Sequence, residues 1–250
     1  YGALNTPDGY TTMVSLPTGG GKSLITQTLS YQQVGLTIII VPTVSLAIDQ
    51  VRVAKKTINT ENPDEEIFCY SSGIDPSSII HAIKRKAARM LFISPEALIL
   101  NEAFVAAIDE ANSARFLRNI IIDEAHMLSK SAFNALLKTL EEPPSHVVFI
   151  FATTEVHRFP ATILSRCQVF SFHHLTEALL AGHLADVLKK EQIPFEDEAV
   201  RLIARRAAGS VRDSMSLLDQ TLAYGSENLT AGLVRDVLGL AGQDALKELF

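Results

Sequence analysis

The chain has 250 residues, of which 47% are hydrophobic and 20% are charged. This balance supports a packed core and excludes a disordered tail, and the length allows one large domain or two small ones. A net charge of −6, from 22 basic and 28 acidic residues, excludes a uniformly basic nucleic-acid coat. A local patch that binds phosphate stays compatible with this charge.

Cysteines and apolar runs narrow the class of protein further. Cys69 and Cys167 are the two cysteines, too few for a disulfide scaffold or a four-cysteine zinc site, so no zinc site is expected. The longest apolar run, Val147–Ala152, has the length of a strand and falls short of the roughly 18 residues that a membrane helix needs. We therefore expect a soluble, cytoplasmic protein with no membrane partner.

The first two thirds of the sequence alternate between short β-rich runs and helical patterns. The predicted strands are Thr11–Leu16, Leu36–Val41, Ile67–Tyr70, Met90–Ile93, Asn119–Ile122, Val147–Ala152 and Gln168–Phe172. The predicted helices between them are Leu24–Gln33, Ser45–Asn59, Ser77–Ala88, Glu102–Ala111 and Ser131–Leu140. Apolar strands that alternate with helices indicate a parallel α/β sheet with helices on both faces.

Strand patterns stop after Phe172, and only helical patterns follow. The predicted helices are Glu177–Glu191, Asp197–Ala208, Ser210–Tyr224 and Thr230–Leu240, separated by glycines. This change predicts an α/β core over residues 1–174 and a small all-helical domain over residues 175–242. Residues 243–250 then begin a further helix or a tail.

The strongest motif is Leu-Pro-Thr-Gly-Gly-Gly-Lys-Ser, which follows a predicted strand and opens a predicted helix at residues 16–23. Glycines let backbone N–H groups approach phosphates, and the helix N-terminus adds positive potential. We expect Lys22 to reach the β- and γ-phosphates and Ser23 to bind Mg²⁺. The nucleotide-binding residues predicted from this motif are Pro17, Thr18, Gly19, Gly20, Gly21, Lys22, Ser23 and Leu24. The alternative is an ordinary glycine-rich turn.

Two adjacent acids, Asp123 and Glu124, end the apolar strand that contains Ile120–Ile122. In a nucleotide hydrolase, Asp123 would hold Mg²⁺ through water, and Glu124 would orient or deprotonate the attacking water. Two acids at a strand end are also found in solvated turns. His126, two residues later, is either a polar loop residue or a residue that couples this motif to its neighbours.

Two weaker features complete the candidate site. Thr153 and Thr154 end the next strand, where a polar side chain can contact the γ-phosphate or the attacking water, although threonine is common at strand ends. A basic cluster lies near a predicted helix end and consists of Lys84, Arg85, Lys86 and Arg89. It is either a solvated face that complements the helix C-terminus or a contact to DNA phosphates.

Residues from about 10 to 126 resemble the first motor domain of superfamily 2 helicases, in particular the RecQ-like kind. The resemblance is carried by MVSLPTGGGKSL at 13–24, IIIVPTVSLAIDQV at 38–51, LFISPEAL at 91–98 and IIIDEAH at 120–126. It implies contacts to single-stranded DNA from Thr43, Ser45 and Ser94. Small polar residues after strands are also ordinary helix caps, so both interpretations stay open.

Residues from about 119 to 242 resemble the bacterial DNA polymerase III gamma/tau subunit, a clamp-loader motor of the AAA+ class. The carrying segments are residues 122–172 and GSVRDSMSLLDQ at 209–220. This resemblance implies that Thr154 is the sensor-1 residue, that Arg166 is an arginine finger acting on a neighbouring subunit, and that Arg212 is the sensor-2 residue. From the sequence, Arg166 has no obvious partner in its own chain.

Together the two resemblances predict a chimera-like P-loop ATPase with a parallel sheet and a helical AAA+ lid. The expected reaction is Mg²⁺-dependent hydrolysis of ATP in DNA replication or repair, with DNA and sister ATPase subunits as partners. Polymerase activity or complete helicase activity is not expected of this chain alone. One alternative is a DNA-stimulated ATPase fragment of a superfamily 2 helicase, and a second is an inert hybrid that only binds nucleotide.

Overall fold

The computed structural model describes residues 11–15, 22–58, 60–71, 73–95, 97, 101–224 and 228–239, without the side chains of residues 22–24, 31, 130–132, 135 and 138. Contacts between residues divide the chain into two compact units, with the boundary between Ser171 and Phe172. No helix in the described part of the chain is long and apolar enough to cross a bilayer.

The first unit is built on a seven-stranded sheet in the order β3-β4-β2-β5-β6-β1-β7. The strands are β1 Thr11–Ser15, β2 Leu36–Ile40, β3 Ile67–Tyr70, β4 Met90–Ile93, β5 Leu117–Ile122, β6 Val148–Thr153 and β7 Gln168–Ser171. Every neighbouring pair is parallel. All seven predicted strands are therefore present, with ends that differ from the prediction by at most two residues.

Helices connect the strands of this unit. They are α1 Lys22–Gln32, α2 Val44–Thr57, α3 Pro63–Glu66, α4 Ser77–Lys84, α5 Glu102–Ser113, α6 Lys130–Glu141 and α7 Ala161–Leu164. The predicted extension of α4 to Ala88 is wrong, because Lys86 adopts a left-handed φ of 59° that ends the helix. Helices α3 and α7 were not predicted, since one helical turn is too short to show periodicity.

Both faces of the sheet are buried. Along β6, Phe149 and Phe151 belong to the apolar cluster on one face, and Val148 and Ile150 belong to the cluster on the other face. Successive side chains of a strand point to opposite faces, so this alternation requires helices on both sides of the sheet. The predicted α/β class, a parallel sheet between helical layers, is confirmed.

The second unit is helical, as predicted. Its helices are α8 Glu177–Lys190, α9 Asp197–Arg206, α10 Val211–Leu222 and α11 Ala231–Val237. Thr176, Ser210 and Thr230 each cap a helix by accepting a backbone N–H with the side-chain hydroxyl. Leu180, Leu184 and Leu188 line the inner face of α8 and enter one apolar core with α9. Phe195, just before α9, and Leu229, just before α11, form an isolated β-bridge.

Gly209 sets the turn between α9 and α10, and we expect Gly209→Ala to destabilise the helical unit. Gly209 has a φ of +86°, and an added Cβ would lie 2.6 Å from the Leu175 carbonyl oxygen. The expected loss is about 1–3 kcal/mol, measured as a lower unfolding midpoint in urea. Gly182→Ala is the control, because a Cβ there meets nothing within 4 Å and should stabilise α8 by about 0.5–1 kcal/mol. Equal midpoints for the two variants would contradict this account.

Candidate functional site

The carboxyl ends of three neighbouring strands bring the predicted motifs to one edge of the sheet. β6 pairs with β1 on one side, where Ser15 lies opposite Thr153, and with β5 on the other, where Ile122 lies opposite Phe151. The strand before the phosphate loop, the strand before Thr154 and the strand before Asp123 therefore end side by side. Ligands of open α/β sheets bind at this edge.

The phosphate loop itself, residues 16–21, lies outside the described residues, and with it Pro17, Thr18 and the three glycines Gly19, Gly20 and Gly21. Helix α1 begins at Lys22, so Lys22, Ser23 and Leu24 occupy its first turn. The order of strand, loop and helix N-terminus is the context in which this motif binds phosphate. The individual roles of these residues stay predictions.

Asp123 is held by three hydrogen bonds. Its backbone N–H donates to the Ile40 carbonyl at 2.9 Å. Its Oδ1 accepts the backbone N–H of Glu124 at 3.1 Å, and its Oδ2 accepts Nε2 of Gln50 at 2.9 Å. Asp123 is 9% exposed, so the carboxylate is nearly buried and keeps one orientation.

This carboxylate fits the predicted Mg²⁺ site. Each oxygen of Asp123 accepts one hydrogen bond and keeps further lone pairs, and carboxylate oxygen is a ligand that Mg²⁺ prefers. Among the described residues, no group of three or more His, Cys, Asp or Glu side chains could hold a metal ion. A Mg²⁺ that is bound by one carboxylate, a hydroxyl, substrate phosphates and waters needs no such group. Ser23 and Asp123 are the residues that would hold it.

Glu124 lies in a strained backbone conformation. It adopts φ 48° and ψ 44°, the left-handed region, directly after β5 and before the 3₁₀ turn Ala125–Met127. A non-glycine residue there costs roughly 1–3 kcal/mol, and such strain is concentrated at functional sites. The observed strain supports the hypothesis that Glu124 has a chemical role.

His126 joins the acid motif to the end of β6. Its Nδ1 lies 3.0 Å from Oγ1 of Thr153 and 3.6 Å from Oε2 of Glu124, and its Nε2 lies 3.5 Å from Oε1 of Glu155. The His126 side chain is only 11% exposed. These contacts favour the coupling role over that of a polar loop residue.

The end of β6 differs in detail from the predicted sensor position. Thr153, the last residue of the strand, is fully buried, and its Oγ1 accepts the backbone N–H of Glu155 at 3.0 Å. Thr154 follows in a bend and is half-buried. Sequence reasoning missed the contacts of Thr153 and Glu155 with His126, because no spacing in the sequence relates the two segments.

We expect His126→Ala to destabilise the first unit, because it removes the buried hydrogen bond to Thr153. The expected loss is about 0.5–1.5 kcal/mol, the net contribution of one hydrogen bond, because Thr153 keeps its bond to the Glu155 N–H. Urea unfolding measures it, with His157→Ala as the control, since the His157 side chain is 78% exposed. If both variants unfolded at the wild-type midpoint, the His126 contacts would not contribute to the free energy of unfolding.

Arg166 has a partner in its own chain, which corrects the expectation from the sequence. Its Nη2 lies 2.8 Å from Oε1 of Glu141, and its Nη1 donates to the Thr162 carbonyl at 2.7 Å. Glu141 ends α6, and Arg166 follows α7. The ion pair was missed because its members lie 25 positions apart. Both side chains are partly exposed, so the pair contributes about 0–1 kcal/mol.

Two of the three residues proposed to contact DNA act as local caps. Thr43 accepts the backbone N–H of Leu46 at 3.3 Å and caps α2. Ser94 is 5% exposed and accepts the N–H of Ala97 at 3.4 Å. Ser45 is exposed in the first turn of α2. The structure therefore favours the capping interpretation for Thr43 and Ser94.

Three of the four residues of the basic cluster are paired with acidic side chains. Lys84 lies 3.7 Å from Glu110, and Arg89 lies 3.2 Å from Glu66. Arg85 forms a third, longer contact of 3.9 Å with Glu65. These pairs favour a solvated, charge-balanced face over a phosphate-binding patch.

The other candidate residues lie away from these contacts. Arg212 is exposed in the first turn of α10, and its predicted sensor-2 role stays a prediction. Burial raises the pKa of the Cys167 thiol to about 11, and it also raises the pKa of Cys69. Both thiols stay protonated near neutral pH, which agrees with packed residues and not with nucleophiles.

Two family models match the chain. The model of the DNA polymerase III clamp loader subunit, ATPase lid domain, matches residues 180–227, within the helical unit. The model of the DNA polymerase III delta subunit matches residues 97–176, which include the acid motif and β6. The predicted resemblance to clamp-loader subunits is confirmed for these segments. Both matches begin after residue 96, so the helicase resemblance of the first half stays a prediction.

Curated relatives include tau and gamma subunits of DNA polymerase III. The chain is 52% identical over 120 residues to DNA polymerase III subunit tau/gamma of Haemophilus influenzae, and 46% identical over 140 residues to subunit tau of Bacillus subtilis. It is 36% identical over 200 residues to subunit gamma/tau of Mycoplasma genitalium. These alignments cover 48%, 56% and 78% of this chain but only 17%, 24% and 32% of the relatives.

The long Mycoplasma alignment cannot reach 78% of the chain without residues upstream of Asp123. The similarity to DNA polymerase III subunit gamma/tau therefore extends into the first half of the chain, for which a helicase resemblance was predicted. Among solved structures, the chain is similar to the Thermotoga maritima RuvB Holliday junction branch migration motor. That match is 15% identical, covers 89% of this chain and 68% of the other, and has a TM-score of 0.46.

Proposed function

We propose that the chain is the Mg²⁺-dependent ATP-hydrolysing part of a clamp-loader-type motor that acts in DNA replication. One observation carries the proposal: β1, β6 and β5 end side by side, so the strand before the phosphate loop lies near Thr153 and the Asp123–Glu124 pair. The similarity to DNA polymerase III tau and gamma subunits supports the same function. The α/β core is proposed to span residues 1–174 and the lid residues 175–242.

The proposed roles follow from the chemistry of phosphoryl transfer. Lys22 and the loop amides hold the phosphates of ATP, while Ser23 and Asp123 hold Mg²⁺. Bound Mg²⁺ supplies positive charge against the charge that develops on the transferred phosphoryl group. Glu124 orients the attacking water and accepts its proton, and Thr154 contacts the γ-phosphate or that water. Transfer to water then yields ADP and inorganic phosphate.

Oligomerisation is the second part of the proposal. Arg166 acts as a finger on ATP bound to a sister subunit. In the oligomer it leaves Glu141 and binds a γ-phosphate oxygen instead. The exchange costs little, because the Arg166–Glu141 pair is partly exposed and such pairs are weak. A phosphate–guanidinium pair in a water-excluded interface is stronger than the pair it replaces. DNA and sister subunits are the proposed partners.

A DNA-stimulated ATPase with a helicase-like first half is the second candidate. It is supported by the motifs of that half and by the exposed Ser45 hydroxyl at the start of α2. The capping roles of Thr43 and Ser94 weaken it. The predicted chimeric origin, in which a helicase-type first half is joined to a clamp-loader motor, stays a proposal, and an inert nucleotide-binding hybrid is the remaining alternative.

Steady-state ATP hydrolysis across a protein titration, with and without single-stranded DNA, tests these candidates. A clamp-loader-type motor should show turnover per subunit that rises with protein concentration, since Arg166 acts on a neighbour. A helicase-like fragment should be stimulated by DNA at constant, low protein concentration. Activity no higher than that of Lys22→Ala under every condition would contradict both and leave the inert hybrid.

Mixing two inactive variants tests the proposed finger. Arg166→Ala retains a complete phosphate loop, and Lys22→Ala retains Arg166, so a mixed oligomer contains some complete sites. We expect each variant alone to lose about 10²- to 10³-fold in turnover, and the mixture to regain a measurable fraction. Arg201→Ala, an exposed arginine of α9, is the control and should be active alone. A mixture as inactive as its components would exclude a finger acting between subunits.

A further inference from the structure

Gln50 connects helix α2 to the acid motif across 73 positions of sequence. The connection depends on β2 and β5 being neighbours, with Ile40 opposite Ile122. Helix α2 starts just after β2, and Ala47 and Ala54 bury its inner face in the apolar cluster beneath it. Gln50 lies between these two alanines and is half-buried, at the edge of the sheet where Asp123 emerges.

The two hydrogen bonds to Asp123 come from different directions. Gln50 donates from a helix to Oδ2 at 2.9 Å, and the Glu124 backbone donates to Oδ1 at 3.1 Å. With one donor on each oxygen, rotation of the carboxylate breaks at least one hydrogen bond. A nearly buried carboxylate that loses a donor bears a desolvation cost of about 1–3 kcal/mol, so this orientation is strongly preferred.

The chemistry of the donor matters as much as its position. A lysine or arginine at this position would neutralise Asp123 and compete with a cation for it. The Gln50 amide is neutral, so it orients the carboxylate and leaves its full negative charge available. Hydrogen bonds of this kind to metal-binding side chains typically change metal affinity by 10- to 100-fold when they are removed.

We propose that Gln50 is a positioning residue that orients the Asp123 carboxylate for Mg²⁺. The inference rests on the proposed ATP site and adds to it a residue from outside the phosphate loop and the acid motif. Gln50 contacts neither nucleotide nor metal itself. It acts through Asp123, and its loss weakens metal binding while the phosphate loop still holds the nucleotide.

Metal binding by the full chain tests this role without measuring turnover. Mn²⁺, a paramagnetic substitute for Mg²⁺, is titrated into the protein–ADP complex and followed by electron paramagnetic resonance, and calorimetry in EDTA gives the metal-free ADP affinity. Gln50→Met keeps the length of the side chain and removes the donor, so we expect about tenfold weaker Mn²⁺ binding with unchanged metal-free ADP affinity. Gln50→Lys adds a cation beside Asp123 and should weaken Mn²⁺ binding further.

Gln33→Met is the matched control. Gln33 also has a side-chain hydrogen bond, in which its Oε1 accepts from Nδ2 of Asn119 at 3.2 Å, near the opposite end of β5. Gln33→Met loses the same side-chain amide as Gln50→Met and should bind Mn²⁺ like the wild type. Gln50→Asn, which is too short to reach Asp123 in the same geometry, replaces Gln50→Met if that variant does not fold.

The possible outcomes distinguish failure of the Gln50 role from failure of the proposed ATP site. Wild-type Mn²⁺ affinity in Gln50→Met, or equal weakening in Gln33→Met, overturns the role of Gln50 and leaves the ATP site intact. A wild-type chain that binds ADP neither in EDTA nor with Mn²⁺ overturns the proposed function, and the role of Gln50 with it. Weaker Mn²⁺ binding in the Gln50 variants alone, with Gln50→Lys weaker than Gln50→Met, establishes the positioning role.

Discussion

Lys22→Ala is expected to abolish ATP hydrolysis, with a loss of about 10²- to 10³-fold or more in turnover and a large loss of nucleotide affinity. Lys22 is the first residue of α1, directly after the phosphate loop. The proposed role of its ammonium group is to bind the β- and γ-phosphates, where charge builds up during transfer. Alanine is a strong helix former, so α1 itself should be retained.

Titration with a fluorescent ATP analogue and a phosphate-release assay measure the two effects of Lys22→Ala. Lys56→Ala is the matched control, because Lys56 is an exposed lysine in the last turn of α2. It should bind and hydrolyse ATP like the wild type. Tight nucleotide binding retained by Lys22→Ala would show that the loop assignment is wrong.

Glu124→Gln is expected to bind ATP normally and to hydrolyse it about 10²- to 10⁴-fold more slowly. Glutamine has almost the same shape as glutamate, so the left-handed turn at φ 48° and the preceding strand should keep their structure. The amide cannot accept a proton from the attacking water. Binding and chemistry should therefore separate in this variant, which distinguishes a base from a residue that only supports the fold.

Single-turnover hydrolysis and analogue binding, measured on the same preparation, test the Glu124 prediction. Glu61→Gln changes an exposed glutamate in the same way and should leave both quantities unchanged. Normal turnover in Glu124→Gln would mean that another group accepts the proton. Lost binding together with lost turnover would point to a structural role instead.

Much of the fold could be predicted because its signals are local. Apolar runs such as Ile67–Tyr70 and Met90–Ile93 have the length and composition of buried strands, and both strands have the predicted bounds. Short elements such as α3 and α7, each of four residues, could not be predicted, since one turn carries no period. The end of α4 was misplaced because the left-handed residue there, Lys86, is neither glycine nor asparagine.

The candidate site also has a part that could be predicted from the sequence and a part that could not. Lys22, Ser23, Asp123 and Glu124 were predicted from short motifs, in which residue types and spacing indicate the chemistry. Their grouping at one sheet edge depends on β6 lying between β1 and β5, which the strand order of the sheet shows.

By itself, the sequence determined the alternation of strands and helices and the helical second unit, and it predicted the phosphate loop and the acid pair. Only the tertiary structure decided that Gln50 donates to Asp123, that His126 contacts Thr153 and that Arg166 pairs with Glu141. The physical reason is the sequence separation over which each kind of interaction acts. Periodicity and turn chemistry act over a few residues, whereas these contacts join positions 73, 27 and 25 apart, brought together only by strand order and helix packing.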